Sequence, residues 1–177
     1  SETFTSREIK KEESYILEGI APMVNTPEFE SLVGLYVSEF TEIAKGNEGL
    51  PKHEYIIENY TQLPDTLPSR VTDLALSIVK DASSYYDKAM KIQRYLKENF
   101  SYTLDTPYTP PNRDFVDYFL FDLEEGYCTY FATAMAVMGR SVGLPTRYIE
   151  GFSMLGKPSS NDIYNIRKSD AHAWVEV

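Results

Sequence analysis

The sequence has few of the residue types that build disulfides, metal sites and membrane spans. It contains one cysteine, two histidines and one tryptophan in 177 residues. No disulfide can form within the chain, and a zinc site would need Asp or Glu to complete the usual four ligands. The longest uncharged run, 126–139, holds 14 residues, fewer than the about 20 needed to span a bilayer. With no visible signal peptide either, we expect the chain as given to be soluble, although it could be part of a larger protein.

Positive charge is also scarce. Lys and Arg number 17 against 27 Asp and Glu, so the formal net charge is −10. Long-range repulsion argues against binding to nucleic acid or directly to an anionic membrane surface. Hydrophobic residues make up 42% and charged residues 25%, which is the balance of a globular domain.

The first half of the chain shows helical signals. Apolar residues recur at helical spacing, with capping residues at Thr5, Thr26 and Ser84. These patterns predict helices over 6–19, 27–45, 69–80 and 84–100. The polar stretch 46–69 reads as a connection, in which Tyr55-Ile56-Ile57 fits either a strand or a helical turn. His53 lies in this stretch and is expected at the surface. The prolines of 101–112 predict a long loop, which could form one rim of a cleft.

The second half holds one strongly apolar helix followed by strands. The helix opens at Gly126-Tyr127-Cys128 and ends at Gly143, and it is apolar on nearly all sides, which is typical of a central buried helix. Strand-like segments follow at 146–152, 163–167 and 171–177. This order predicts an α+β fold in which an antiparallel sheet packs against the central helix. We divide the chain into an N-terminal helical segment and linker, 1–64, and a domain, 65–177.

Cys128 stands where the central helix begins. Free N–H groups and the helix dipole at such a position favour a thiolate, the nucleophilic form of cysteine, and could stabilise an oxyanion. A nucleophile needs a base, and His172 lies in a strand with alanine on either side, which leaves room for a partner. A lone cysteine is, however, usually a small buried hydrophobe.

Two separated segments resemble one family. Gly126–Phe152, which includes Gly-Tyr-Cys-Thr-Tyr-Phe-Ala and Gly-Leu-Pro-Thr-Arg, and Asp170–Val177, Asp-Ala-His-Ala-Trp-Val-Glu-Val, resemble the bacterial transglutaminase-like superfamily. Tyr95–Pro107 and Asp117–Phe121 are similar to it as well. The likeness covers roughly residues 65–177, and its subgroup is an extracytoplasmic domain of a membrane protein.

The resemblance implies a papain-like fold with Cys128 as nucleophile and His172 as base. It implies acyl transfer or hydrolysis on the amide bonds of a protein or peptide substrate, without cofactor or metal; calcium is not implied. It also places an Asp that orients the histidine beyond Val177. We therefore expect little activity from this chain, an active and membrane-anchored parent, and a sheet truncated at its C-terminal end. An unpaired edge there could let two chains pair.

Three aromatic residues near the motifs have uncertain roles. Tyr127 and Tyr130 flank the thiol and could supply a hydroxyl to the oxyanion or form a wall of the cleft. Trp174 either lines the cleft or anchors its strand in the core, and core packing is the simpler reading. The competing hypothesis for the whole domain is a catalytically inactive binding or scaffold domain that has kept the fold.

Overall fold

The computed structural model describes residues 53–153 and 166–177. The helices predicted over 6–19 and 27–45 and most of the strand predicted over 163–167 lie outside these residues. Residues 166 and 167, the part of that strand that is described, are not in a strand. Within the described residues, no helix is both long and apolar enough to cross a membrane.

The described chain contains five α-helices and four short strands, and three of the helices come first. The helices are α1 (His53–Tyr60), α2 (Ser69–Ile78), α3 (Tyr85–Asn99), α4 (Phe115–Tyr118) and α5 (Cys128–Ser141). The strands are β1 (Ser101–Tyr102), β2 (Glu125–Gly126), β3 (Arg147–Phe152) and β4 (Ala171–Glu176). Helix α4 continues as a π-helical turn, Phe119–Leu123, and a 3₁₀ turn, Lys168–Asp170, precedes β4. The segment Tyr55-Ile56-Ile57 is therefore helical.

Helix α5 lies at the centre of the core, as its composition predicts. Its residues Tyr130, Ala134 and Met138 are buried and pack with buried residues of the surrounding chain, namely Val71, Ala75, Ile92, Leu96, Val116, Phe119, Leu120 and Leu144. Helices α2 and α3 cover one side of α5, and β3 and β4 cover another. Because α5 is held on several sides, its first turn has a fixed position relative to β4.

Local sequence signals set the helix ends. At the start of α3, the Ser84 hydroxyl accepts a hydrogen bond from the Asp87 N–H at 3.1 Å, and the Asp87 carboxylate accepts one from the Ser83 N–H. At the end of α5, Gly143 has φ of 80°, and the N–H groups of Gly143 and Leu144 bond to the carbonyls of Arg140 and Gly139. A left-handed residue of this kind favours glycine and ends the helix.

The four strands form two separate pairs. β1 and β2 are parallel, with Ser101 opposite Glu125 and Tyr102 opposite Gly126. β3 and β4 are antiparallel, and their register places Gly151 opposite His172. Side chains alternate across a strand, and Ala173, which is 6% exposed, marks the face of β4 that packs towards α5. The antiparallel pair against a central helix agrees with the predicted architecture.

A buried carboxylate ties α4 to α2. Asp117 is 3% exposed and accepts a hydrogen bond from Arg70 at 2.6 Å and one from Arg113 at 3.1 Å. The guanidinium of Arg70 also lies 4.3 Å from the ring centroid of Phe121. The Arg70 hydrogen bond, with help from Arg113, lowers the pKa of Asp117 below its ordinary value of 3.8. Asp117 therefore stays ionised and fixes the segment that leads into β2.

Candidate active site

Cys128 is the first residue of α5 and is partly exposed. Tyr127, which precedes it, has extended backbone angles and gives no side-chain cap to the helix. The carbonyl of Tyr127 accepts bonds from the N–H groups of Tyr130 and Phe131. Within the described residues, the N–H groups of Cys128 and Thr129 have no hydrogen-bond partner. The thiol thus lies at the positive end of a helix, beside two donors that no described residue engages.

The position of the backbone just before Cys128 is fixed by β2 and by Gly126. The Thr103 N–H donates to the Gly126 carbonyl at 2.8 Å, which extends the pairing of β1 with β2. A Cβ atom on Gly126 would lie 2.6 Å from Cγ and 2.7 Å from Cβ of Tyr130. Gly126 is therefore needed because Tyr130 packs directly on the backbone there.

His172 lies near the start of β4, two residues after the 3₁₀ turn. The carbonyl of Asp170 accepts a hydrogen bond from the Ser153 N–H at 2.7 Å, which closes the ladder just beyond Phe152 and Ala171. These contacts fix the end of the strand from which the imidazole projects. The His172 side chain is exposed.

Cys128 and His172 line one cleft. It has a volume of about 520 Å³ and is bounded by α3, α5, β1 and β4. Its other lining residues are mostly apolar and include Leu96, Phe100, Tyr102, Phe131, Met135, Trp174 and Val177, with Lys97 and Gln93 as polar members. No hydrogen bond joins Cys128 to His172 in the part of the chain that the structure describes. Catalytic hydrogen bonds are often long in free enzymes and tighten with substrate.

None of the described carboxylates is hydrogen-bonded to His172. Glu176 forms an ion pair with Arg147 across the two strands. Asp170 accepts a hydrogen bond from the Arg167 N–H at 2.6 Å and caps the 3₁₀ turn. Asp162 lies outside the described residues.

The structure gives the three aromatic residues near the motifs different environments. Tyr130 is 5% exposed and packs in the core against Phe115, with 4.6 Å between ring centroids. Tyr127 packs on Tyr130, edge to face, with centroids 5.0 Å apart. Neither tyrosine is among the lining residues of the cleft. Trp174 does line the cleft and is 38% exposed, so it is not a fully buried anchor.

Sequence reasoning missed a polar pair on β3. The Tyr148 hydroxyl donates to the Glu150 carboxylate at 2.8 Å. Burial, followed by the bond to Glu150, raises the pKa of Tyr148 above its ordinary value of 10.0. The i, i+2 spacing in a strand was the available signal, since it places Tyr148 and Glu150 on one face.

Comparisons with known proteins agree on one family. A model of the transglutaminase-like superfamily matches residues 72–177. The uncharacterized protein YebA of Bacillus subtilis (strain 168) is 38% identical over 148 residues, which make up 80% of this chain and 20% of YebA. A protein-glutamine gamma-glutamyltransferase of Pseudomonas aeruginosa is 40% identical over 88 residues, which are 50% of this chain and 13% of that protein. The chain thus spans a fifth or less of these curated relatives.

Solved structures show the same fold. Two crystal structures of the periplasmic domain of TgpA from Pseudomonas aeruginosa, one of them bound to ethylmercury, are similar to this chain. The ethylmercury complex gives a TM-score of 0.60 at 31% identity, over 71% of this chain and 45% of that one. The other gives a TM-score of 0.62 at 29% identity, over 72% and 43%. With a family model that matches well over half of its residues, the chain belongs to the transglutaminase-like superfamily.

Proposed function

We propose that this domain performs cysteine-dependent acyl transfer or hydrolysis on the amide bonds of a protein or peptide substrate, with Cys128 as nucleophile and His172 as base. The observation that carries the proposal is the position of the thiol. Cys128 lies at an uncapped helix start, in the same cleft as His172. The name of the Pseudomonas relative, a protein-glutamine gamma-glutamyltransferase, supports a glutamine amide as the acyl donor.

The chemistry proceeds in two steps. His172 takes the thiol proton, and the thiolate of Cys128 attacks the amide carbonyl carbon. The carbon–nitrogen bond then breaks, and the imidazolium returns the proton to the leaving amine or ammonia. In the second step, water or an amine gives a proton to His172 and attacks the thioester carbonyl carbon, the carbon–sulfur bond breaks and the Cys128 thiolate leaves. Attack by water gives hydrolysis, and attack by an amine gives transfer.

Backbone donors are available for the charge that develops on the carbonyl oxygen. The N–H groups of Cys128 and Thr129 have no partner among the described residues and lie next to the attacking sulfur. Preorganised donors of this kind are worth about 2.7–4 kcal/mol of transition-state stabilisation each. A hydroxyl from Tyr127 stays a prediction, and the core position of Tyr130 does not favour such a role.

A third residue would hold the imidazole in the correct tautomer. No described carboxylate bonds to His172, and the resemblance places the acid beyond Val177. Loss of the orienting acid in a serine protease lowers kcat by about ten-thousand-fold. We accordingly propose that the longer parent protein is the active enzyme and that this chain turns over slowly.

The cellular setting is also a proposal. The similar solved structures are of a periplasmic domain, which supports an extracytoplasmic location for this one within a membrane-anchored parent. The location of the domain is tested in cells that express the parent protein with a tag in this domain. A protease added to intact spheroplasts should cleave the tagged domain. Protection of the tag until the membrane is lysed would contradict an extracytoplasmic location.

An activated acyl donor tests the nucleophile without depending on the natural substrate. The chain is incubated with p-nitrophenyl acetate and examined by intact-mass spectrometry. We expect one acetyl group on Cys128, no adduct on that residue in Cys128→Ser on the same timescale, and slower acylation in His172→Ala. His53→Ala is the matched control, since His53 is the only other histidine. Equal acylation rates in the two histidine variants would contradict the assignment of the base.

The second candidate function is an inactive scaffold domain. It is favoured by the missing hydrogen bond between Cys128 and His172 and by the missing acid in the described residues. A scaffold predicts that acetylation of Cys128 is no faster than that of an ordinary thiol and is indifferent to both histidines. The acylation experiment therefore separates the two functions.

A further inference from the structure

The imidazole of His172 is exposed, and its direction is not set by hydrogen bonds. Within residues 53–153 and 166–177, no hydrogen bond or ion pair holds this side chain. An exposed side chain can occupy about three staggered rotamers around its first torsion, and only some of them carry the imidazole towards Cys128. The use of His172 as a base therefore depends on which directions its neighbours on the sheet leave open.

Trp174 occupies the space across the sheet from His172. In the register of β3 and β4, Gly151 lies directly opposite His172. Trp174 is two positions further along β4 and lies on the same strand face as His172. A Cβ atom on Gly151 would lie 2.9 Å from Cη2 and 3.2 Å from Cζ3 of Trp174. The tip of the indole thus reaches diagonally over Gly151 and fills the place that a side chain opposite His172 would take.

This contact closes one direction to the imidazole. Directly opposite residues of an antiparallel pair have Cβ atoms about 4.5–5.5 Å apart, so the indole tip lies within reach of the His172 ring on the β3 side. Among the described residues the cleft is lined by His172, Ala173 and Val175 of β4 and by none of β3, so it lies on the side of β4 away from β3. An imidazole that cannot lie across β3 is left with the directions towards the cleft and Cys128.

Gly151 is required by the indole and not by its own backbone. Gly151 lies outside the left-handed region of backbone angles, so the backbone of β3 also accommodates alanine. The described atoms within 4 Å of an added Cβ, its own chain neighbours aside, all belong to the outer end of the Trp174 ring. Alanine at this position therefore displaces the indole and little else.

We propose that Trp174 is a positioning residue, which uses the space over Gly151 to keep the His172 imidazole turned towards Cys128. This inference rests on the proposed function. Trp174 takes no proton and forms no bond; it raises the fraction of molecules in which the imidazole can take the thiol proton. Its effect therefore exists only while His172 is present, which separates it from a structural role and from a role as a wall of the cleft.

A double-mutant cycle between Trp174 and His172 measures this coupling. Acetylation of Cys128 by p-nitrophenyl acetate is followed at pH 7 by intact-mass spectrometry in the native chain, Trp174→Ala, His172→Ala and the double variant. The histidine effect is the ratio of the rates with and without His172. We expect Trp174→Ala to lower this ratio by about threefold, since the imidazole then distributes over about three rotamers. In the His172→Ala background the same substitution should leave the rate nearly unchanged, because the coupled partner is absent.

Three further variants sharpen the test. Trp174→Phe keeps a flat ring that reaches less far over Gly151, and it should give an intermediate histidine effect. Gly151→Ala displaces the indole from the opposite strand and should lower the histidine effect only while Trp174 is present, which keeps the test valid if Trp174→Ala does not fold. Phe152→Ala is the matched control, because Phe152 is the next residue of β3, is 52% exposed and lies on the other face of the sheet. It should keep the native histidine effect.

Equal slowing by Trp174→Ala in both backgrounds would overturn the inference, since it would show a structural role or a role in the cleft wall. A histidine effect that does not fall in Trp174→Ala or in Gly151→Ala would also overturn it. The native chain keeps the two proposals apart. A histidine effect near one in the native chain defeats the proposed function, whereas a large histidine effect that ignores Trp174 defeats the positioning role alone.

Discussion

Gly126→Ala should destabilise the domain and disturb the thiol together. The added Cβ would lie 2.6 Å, 2.7 Å and 3.0 Å from Cγ, Cβ and Cδ2 of Tyr130. Carbon atoms in contact normally lie about 3.5–4.0 Å apart. The nearest atoms belong to the root of a side chain that is 5% exposed and that α5 holds in place, so rotation of the ring alone cannot relieve the contact.

The cost follows from the way the clash must be resolved. Either β2 moves away from α5, which weakens its pairing with β1, or the first turn of α5 shifts. Overpacking of a core costs about 1–3 kcal/mol, and we expect the upper part of that range because both alternatives move backbone. With a urea m value of about 1–3 kcal/mol/M, the unfolding midpoint should fall by about 1 M.

Urea unfolding followed by circular dichroism measures the change, and Tyr130→Ala supplies the test of mechanism. Once that ring is removed, Gly126→Ala should cost less than about 1 kcal/mol, because contacting residues are energetically coupled. Alkylation of Cys128 should also slow in the single variant, since the thiol follows the first turn. An unchanged urea midpoint, or the same loss with and without the Tyr130 ring, would refute the reasoning.

Three further outcomes follow from the structure. Asp117→Asn should lower the urea midpoint at pH 7. Because the pKa of Asp117 is lowered in the folded state, its contribution to stability is present above pH 3.8 and is lost as pH falls through the lower folded value. The urea midpoints of the native chain and of Asp117→Asn should therefore converge in acid. A difference in midpoint that persists at the lowest pH would contradict this. Ile92→Ala should cost about 2–5 kcal/mol, because Ile92 is 0% exposed, whereas Leu76→Ala, at a position 50% exposed, should cost little; equal urea midpoints would contradict the core assignment. In the described residues β4 pairs only with β3, so sedimentation equilibrium should show concentration-dependent dimers that pair through the open edge, and a clean monomer at high concentration would count against them.

The parts of the fold that the sequence predicts are those fixed by neighbours along the chain. The Ser84 cap of α3, the apolar character of α5 and its stop at Gly143 depend on contacts within about four residues, and all appear in the structure. The α+β class and the family follow from the order of such elements and from the motifs. The start of α5 is what places Cys128 at a helix end.

Contacts between residues far apart in the sequence could not be predicted from such local signals. β1 and β2 have two residues each, too few to show the alternation by which a strand is recognised. Arg70 and Asp117 are 47 positions apart, and nothing local pairs them. Cys128 and His172 are likewise 44 positions apart, and their place in one cleft depends on tertiary packing.

The pH dependence of Cys128 alkylation by iodoacetamide tests the central claim most directly. It is measured on the native chain, His172→Ala and the control His53→Ala. A Cys128 whose proton is taken by His172 predicts faster alkylation near neutral pH in the native chain than in His172→Ala, with His53→Ala matching the native chain. The same dependence of alkylation rate on pH in all three proteins would contradict the account of Cys128 and His172 as a nucleophile and its base.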